Sequence, residues 1–284
     1  MSVLVLGTFD GVHIAHRQLI NEAKKTGKKV VVCTFSSPFS TAKVLLTKDE
    51  KEKILKELGV DVVFMQEPRN VKELSPEQYI KTLVEKFNPK FVVTGFNHRF
   101  GKDAQGDLSM LSFLGKKYGF TLISVPPVQS DGVLVSSSSI RSLLQKGEIE
   151  KANLLLDRYY SLKGTVTKGK HIGTEIGFPT ANIGYSREKL IPKCAVYATF
   201  VKLNNRLYKG MTNIGFNETV SENNSLTVET HILGFDGDIY GKNIEILFLK
   251  KVRDDKKFES LEALKKQLSD DALLINAYID TIKK

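Results

Sequence analysis

Short apolar runs alternate with amphipathic stretches through the first half of the chain. Val3-Leu4-Val5-Leu6 reads as a buried strand, and the helical pattern of Arg17-Gln18-Leu19-Ile20-Asn21-Glu22-Ala23 follows it. Lys29–Phe35 predicts a second strand, closed by Ser36-Ser37-Pro38. Thr47 precedes a helix carrying Ile54, Leu55 and Leu58, with Gly59 at the stop position. Asp61–Met65 predicts a third strand. Ser75-Pro76-Glu77-Gln78 offers a cap, a proline at the first helical position and a glutamine to close a capping box. Phe91–Thr94 and Phe120–Ser124 read as further strands, with a helix from about Asp107 to Lys117 between them. Helices at about Ser138–Gln145 and Glu148–Leu156 end this half. Strands alternating with helices predict an α/β domain built on a parallel sheet, with ligands at the carboxyl ends of its strands.

The pattern then changes. Tyr160–Thr167, Ala195–Leu203, Leu207–Ile214, Leu226–Leu233 and Ile244–Val252 are strand-like, and Asn204-Asn205 reads as a hairpin turn. Successive strands with turns between them predict a small antiparallel barrel. A last helix places Leu261, Leu264, Leu268, Ile275, Ile279 and Ile282 on one stripe. The expected domains are therefore residues 1–157 and 158–284, with no low-complexity linker or internal repeat.

Composition narrows the class. In 284 residues, 41% hydrophobic and 26% charged, no apolar run approaches the roughly 20 residues of a membrane span. The first residues lack the pattern of a signal peptide. Cys33 and Cys194 stand far apart, which argues against disulfides and zinc and for a reducing cytoplasm. The net charge of +10 is scattered over helices and strand ends, so neither a nucleic-acid nor a membrane partner is expected. Polyphosphate ligands account for such a balance equally well, and a monomer or weak oligomer acting on small molecules is the expectation.

The candidate chemistry begins at Gly7-Thr8-Phe9-Asp10-Gly11-Val12-His13-Ile14-Ala15-His16. A strand ending in a glycine turn that opens a helix makes an anion site, because free N–H groups and the helix dipole face the ligand. His13 and His16 have three readings: a metal pair, ordinary loop histidines, or donors that stabilise a transferring phosphoryl group. Their place beside the glycine turn favours the third. Further on, Ser137 and Ser138 can cap a helix and leave N–H groups for phosphate, with Arg141 one turn later as a second clamp.

Gly-x-Phe-Asp-Gly-x-His-x-x-His resembles the signature of the histidine-motif nucleotidyltransferases. More narrowly it is similar to the N-terminal module of bacterial bifunctional riboflavin kinase/FAD synthetases. Thr94-Gly95-Phe96-Asn97-His98-Arg99-Phe100-Gly101 and Val135–Arg141 follow in the family's order. The resemblance implies a Rossmann-like domain in which Gly7, Phe9, Asp10, Gly11, His13, His16, Ser137, Ser138 and Arg141 surround ATP, His13, His16 and Arg141 in catalytic roles, and Asn97 and His98 meet the flavin. Ala15 stands where the family usually has glycine, His98 where it usually has phenylalanine, and Ser36-Ser37-Pro38-Phe39 lacks its usual histidine.

In the second half, Gly177-Phe178-Pro179-Thr180-Ala181-Asn182 resembles the riboflavin kinase motif, with Thr180 and Asn182 as ligands of Mg²⁺ and of ATP phosphates. A hydroxyl and an amide oxygen are hard donors suited to that ion. By the same resemblance Gly169 and Gly173 belong to a flap over the nucleotide, Glu229 is the general base, and Arg253 and Phe258 meet the flavin. Thr174 replaces a usual arginine and Glu218 a usual proline. The implied activity is ATP-dependent phosphorylation of riboflavin to FMN, followed by adenylylation of FMN to FAD. Two alternatives stand beside it: a chain with only one active half, and a flavin- or RNA-binding regulator.

Overall fold

A computed structural model describes residues 1–39, 41–168, 173, 176–216 and 226–282. The chain divides into two compact units, Met1–Ser139 and Ile140–Lys284.

The first unit is a five-stranded sheet, all parallel, in the order β3-β2-β1-β4-β5. The strands are β1 (Ser2–Leu6), β2 (Lys29–Phe35), β3 (Val62–Gln66), β4 (Pro89–Gly95) and β5 (Thr121–Val125). Every residue of β1 is buried, as expected of a central parallel strand covered on both faces. Alternation sorts its side chains. Val3 and Val5 pack with Leu19, Ile20 and Ala23 of α1 (Ile14–Lys25) and Leu55 of α2 (Lys48–Glu57). Leu4 and Leu6 pack on the other face, with Leu83 of α4 (Pro76–Phe87) and Leu111 and Leu114 of α5 (Leu108–Tyr118). A short helix, α3 (Pro68–Val71), lies between β3 and α4.

Local chemistry sets the helix ends. Thr47 and Glu50 form a capping box on α2, and Ser75 and Gln78 form the expected one on α4. Asp107 caps α5, and Asn88 and Gly119 close α4 and α5 in the left-handed region. A small hairpin of β6 (Gln129–Ser130) and β7 (Val133–Leu134) turns at Asp131-Gly132, both at positive φ. Next come α6 (Ser137–Lys146) and α7 (Ile149–Leu156).

By compactness α6 from Ile140 onward and α7 count with the second unit, whereas the sequence boundary at 157 groups them with the first. A physical tie is visible at Asn153 of α7: its Nδ2 donates to Phe248 O at 2.9 Å and its Oδ1 accepts from Tyr160 N at 2.7 Å.

The second unit is a closed barrel in the order β10-β11-β12-β9-β8-β13. Its strands are β8 (Tyr160–Thr167), β9 (Ala181–Tyr185), β10 (Ala195–Leu203), β11 (Arg206–Phe216), β12 (Leu226–Ile232) and β13 (Asn243–Asp254). The β10–β11 hairpin turns at Asn204 and Asn205, both at positive φ, as predicted. One strand, β9, escapes the sequence reading. It is five residues long, contains Gly184, and abuts Thr180.

The terminal helix α8 (Leu261–Thr281) lies on the outer face of β10 and β11, where Ile275 and Ile279 meet Val196, Ala198 and Met211. That cover explains why β10 is apolar without alternation. Leu261, placed on the apolar stripe by the sequence, is 51% exposed. Asp271 takes a buried place on that stripe instead, at 1%.

Inside the barrel three fully buried threonines form a row across strands. Thr199 Oγ1 meets Thr212 Oγ1 at 2.9 Å, and Thr212 Oγ1 meets Thr230 Oγ1 at 2.7 Å. Gly210 makes room for them: a methyl group there would stand 2.7 Å from Thr199 Oγ1.

Candidate functional site

The loop after β1 holds an unusual backbone. Phe9 (φ 50°), Gly11 (φ 89°) and Val12 (φ 38°) all occupy positive φ within four residues. For a β-branched residue such as Val12 this is strained, and strain of this kind persists only where surrounding contacts impose it. Those contacts are present. Phe9 and Val12 are fully buried. Asp10 Oδ1 accepts from Leu45 N at 2.9 Å and Leu46 N at 3.2 Å, and Thr8 O accepts from Thr34 Oγ1 at 2.7 Å. Lys51 donates from Nζ to Thr8 O at 3.1 Å and to Phe35 O at 2.8 Å. A methyl group at Gly7 would stand 3.1 Å from the Phe9 ring.

The turn delivers His13 to the N-cap of α1. Its Nδ1 accepts from His16 N at 3.4 Å, which places the ring proton of neutral His13 on Nε2, as a donor. The two imidazoles stack with centroids 3.7 Å apart, and Phe9 backs His16 at 4.7 Å. Both histidines thus stand as a fixed column at the positive end of α1.

The serine run reaches the same loop. Ser137 Oγ donates to Asp10 O at 2.7 Å. The cap of α6 is Ser136, not Ser137 or Ser138: Ser136 and Ser139 exchange hydrogen bonds, Ser139 N to Ser136 Oγ at 3.1 Å and Ser136 N to Ser139 Oγ at 3.0 Å. A four-serine run holds several equivalent registers for a cap, and this reciprocal pair selects one. Ser138 is exposed in the first turn, and Arg141 lies four residues beyond Ser137 on the same helix.

Asn97 and His98 lie just past the end of β4, the neighbour of β1 at the point where strand order reverses. Asn97 is exposed and folds back so that its Oδ1 would lie 3.7 Å from a methyl group on Gly95. His98 stacks on Phe100 at 5.7 Å, with its Nε2 enclosed and lacking a partner among the described residues. Burial lowers its pKa to about 4.

In the second unit Gly177 (φ 86°) turns the chain into Phe178-Pro179-Thr180, which docks on the outer face of β12. His231 Nδ1 donates to Pro179 O at 2.8 Å and its ring meets Phe178 at 5.3 Å. Thr180 Oγ1 donates to Glu229 Oε2 at 3.3 Å. Asn182 is paired with Glu229 across β9 and β12, so the two share a face. Thr180, Asn182 and Glu229 are therefore brought together. Gly173 also packs here: Phe178 N donates to Gly173 O at 2.7 Å, and a methyl group on Gly173 would lie 2.3 Å from Phe178 O. Gly169, Thr174 and Glu218 lie outside the described residues. A cleft of about 180 Å³ opens beside Thr180, walled by Val166, Pro179, Ile232, Phe235 and Tyr240.

Arg253 and Phe258 lie past this row, at the end of β13. Arg253 Nε donates to Asp271 Oδ2 at 2.9 Å, and the Arg253 and Lys256 cations stand 5.6 and 5.2 Å from the Phe258 ring centre. Asp271 also accepts from Gln267 Nε2 at 2.8 Å.

One residue beside these sites escapes the sequence reading, and a second, Asn213, lies in the Asn213-Ile214-Gly215 run that follows the order of the riboflavin kinase family. Lys51 sits in the charged run Lys48-Asp49-Glu50-Lys51, which looks like a solvated helix face, yet it is 6% exposed. Asn213 pairs with Glu229 across β11 and β12.

Comparison with known proteins agrees with both halves. An FAD synthetase family model matches residues 1–139 and a riboflavin kinase model matches residues 156–279. A bifunctional riboflavin kinase/FMN adenylyltransferase of Listeria monocytogenes is 34% identical over 95% of this chain and 90% of its own length. Its Bacillus subtilis counterpart is 33% identical over 100% and 94%. The chain belongs to the bifunctional riboflavin kinase/FMN adenylyltransferase family. A solved structure from Streptococcus pneumoniae, described as a macrolide-efflux protein, superimposes with a TM-score of 0.88 at 30% identity, covering 97% of this chain and 93% of that one. Among the described residues here, no helix is long and apolar enough to cross a membrane.

Proposed function

We propose that this chain converts riboflavin to FMN in its second unit and FMN to FAD in its first, with ATP as co-substrate of both steps. The observation that carries the reading is the grouping of Thr180, Asn182 and Glu229, with Thr180 also forming part of the wall of a cleft.

In the kinase step Glu229 takes the proton of the ribityl 5′-hydroxyl as its oxygen attacks the γ-phosphorus of ATP, and ADP leaves. The adenine occupies the cleft between Pro179 and Tyr240. Magnesium fits the donor set. No cluster of three or more His, Cys, Asp or Glu suits a metal among the described residues, whereas Thr180 and Asn182 offer hard oxygens that phosphate oxygens would complete. When bound, that ion neutralises charge on the phosphates. In the adenylylation step an FMN phosphate oxygen attacks the α-phosphorus of a second ATP and pyrophosphate leaves. His13 Nε2–H, the α1 dipole and the first-turn amides at Ser137 and Ser138 receive the developing charge, with Arg141 as a cationic clamp and Asn97 and His98 on the flavin side. Neither step needs a covalent enzyme intermediate.

Cys33 and Cys194 are free thiols, which suits a cytoplasmic enzyme. Small molecules are its expected partners, with neither nucleic acid nor membrane, and a monomer or weak oligomer its working form.

Incubation with riboflavin, ATP and Mg²⁺, with FMN and FAD resolved by chromatography, tests the reading. Glu229→Gln is expected to abolish FMN formation while FMN supplied directly is still adenylylated. His16→Ala is expected to do the reverse. Joint loss of both activities in either variant would overturn the assignment of one site to each unit.

A further inference from the structure

The outer face that carries Asn182 and Glu229 continues one strand further. Asn213 is the cross-strand partner of Glu229 on β11. Paired residues in antiparallel strands share a face, with Cβ atoms about 5 Å apart. Asn213 Oδ1 is closed off from solvent and lacks a hydrogen-bond partner among the described residues. Buried amide oxygens are nearly always paired, so an orphaned one beside a general base calls for a donor.

The surroundings identify that donor by class. Asn213 Nδ2 and the Asp255 carboxylate both border Gly215: a methyl group there would stand 3.4 Å from Nδ2 and 3.0 Å from Asp255 Oδ2. An amide NH₂ belongs on the side of a carboxylate acceptor, which leaves Oδ1 for another neighbour. Ionised Glu229 and Asp255 accept hydrogen bonds and cannot donate them. A ligand hydroxyl can.

We propose that Asn213 is a specificity residue of the kinase site, accepting a hydrogen bond from the polyol hydroxyl next to the one that is phosphorylated. The inference rests on the reading of Glu229 as the base for the terminal hydroxyl. With that oxygen at Glu229, the hydroxyl on the adjoining carbon falls toward the neighbouring strand. The site then selects a polyhydroxylated chain rather than any flavin with a terminal alcohol.

The test compares riboflavin with 4′-deoxyriboflavin in the full chain, measuring kcat and KM for FMN-type product. Wild type is expected to lose about tenfold in kcat/KM on the deoxy analogue, the scale of one neutral hydrogen bond. Asn213→Ala is expected to lose about as much on riboflavin and to treat the two substrates alike. Asn213→Leu, which keeps the volume, is expected to match it, and a thermal melt of the full chain that keeps the wild-type transitions reports an intact barrel in both. Undiminished turnover of riboflavin by Asn213→Ala overturns the proposal. So does a variant that turns over more slowly yet still discriminates, because the residue is then structural or holds only water. Glu229→Gln run alongside separates the two readings. If it retains kinase activity, the base assignment fails; if it is dead and Asn213→Ala is unchanged, Asn213 alone fails.

Discussion

Lys51 shows how a single side chain can hold the geometry of the loop after β1, the proposed phosphate site, from behind. Its ammonium donates to the carbonyls of Thr8 and Phe35 at the carboxyl ends of β1 and β2, where the strained turn begins. A hydrogen bond to a charged group is worth about 1.5–3 kcal/mol. Lys51→Met is therefore expected to lower adenylylation of FMN at least tenfold and to leave FMN formation from riboflavin near wild type, as steady-state assays of the two steps will show. His98 supplies a pH prediction. Unfolded, it takes up a proton near 6.5; folded, only near pH 4. Protonation then favours the unfolded chain, so stability is full above about pH 6.5 and falls by about 3 kcal/mol on the way to pH 4. Thermal melts between pH 7 and 4.5 are expected to show a flatter decline for His98→Phe than for wild type. At this scale the sequence was legible in which residues meet, where motif and local turn coincide, as in the cap that His13 makes on α1 and the bond from Thr180 to Glu229. It was opaque at Lys51, whose importance comes from a partner 43 residues away along the chain.

Among the elements, α8 is held to the barrel by more than its apolar stripe. Arg253 reaches from the end of β13 to Asp271, which is shut away from water and receives Gln267 as well. Removing one partner of such a pair leaves the other charge uncompensated, at a cost of about 3–5 kcal/mol, whereas an apolar replacement of both is nearly neutral. Asp271→Ala is thus expected to shift the denaturant midpoint well downward, and Arg253→Met with Asp271→Leu to recover most of it. The stripe of leucines and isoleucines made α8 readable as a helix, but periodicity treats Leu261 and Leu268 alike. Only packing shows that the first is in water and that an aspartate is inside. The same limit hid β9: five residues with an internal glycine make a poor strand alone, and its neighbours β8 and β12 supply the pairing.

On the scale of the molecule, each reaction has its own compact unit and its own core. A sheet order that reverses at β1 puts the proposed adenylylation site at the carboxyl ends of β1 and β4, and the proposed kinase site lies on an outer face of the barrel. FMN released by one chain should then serve another. A mixture of Glu229→Gln and His16→Ala chains is expected to make FAD from riboflavin, although neither variant does so alone; chromatography of the mixture decides it. The alternation of strands and helices followed by strands alone made both architectures legible, because each period is imposed by a core that must be covered. The buried threonines inside the barrel have a different consequence, for the history of the chain. Each hydroxyl has one proton to give, so Thr199, Thr212 and Thr230 hold a shared direction of donation. A lone valine at Thr212, the middle of the row, strands the hydroxyl of Thr199, while three valines together strand none. Genotypes that lose Thr212 first are then less fit than either end. The trio is expected to drift through descendants as one inherited block, changed together or kept together.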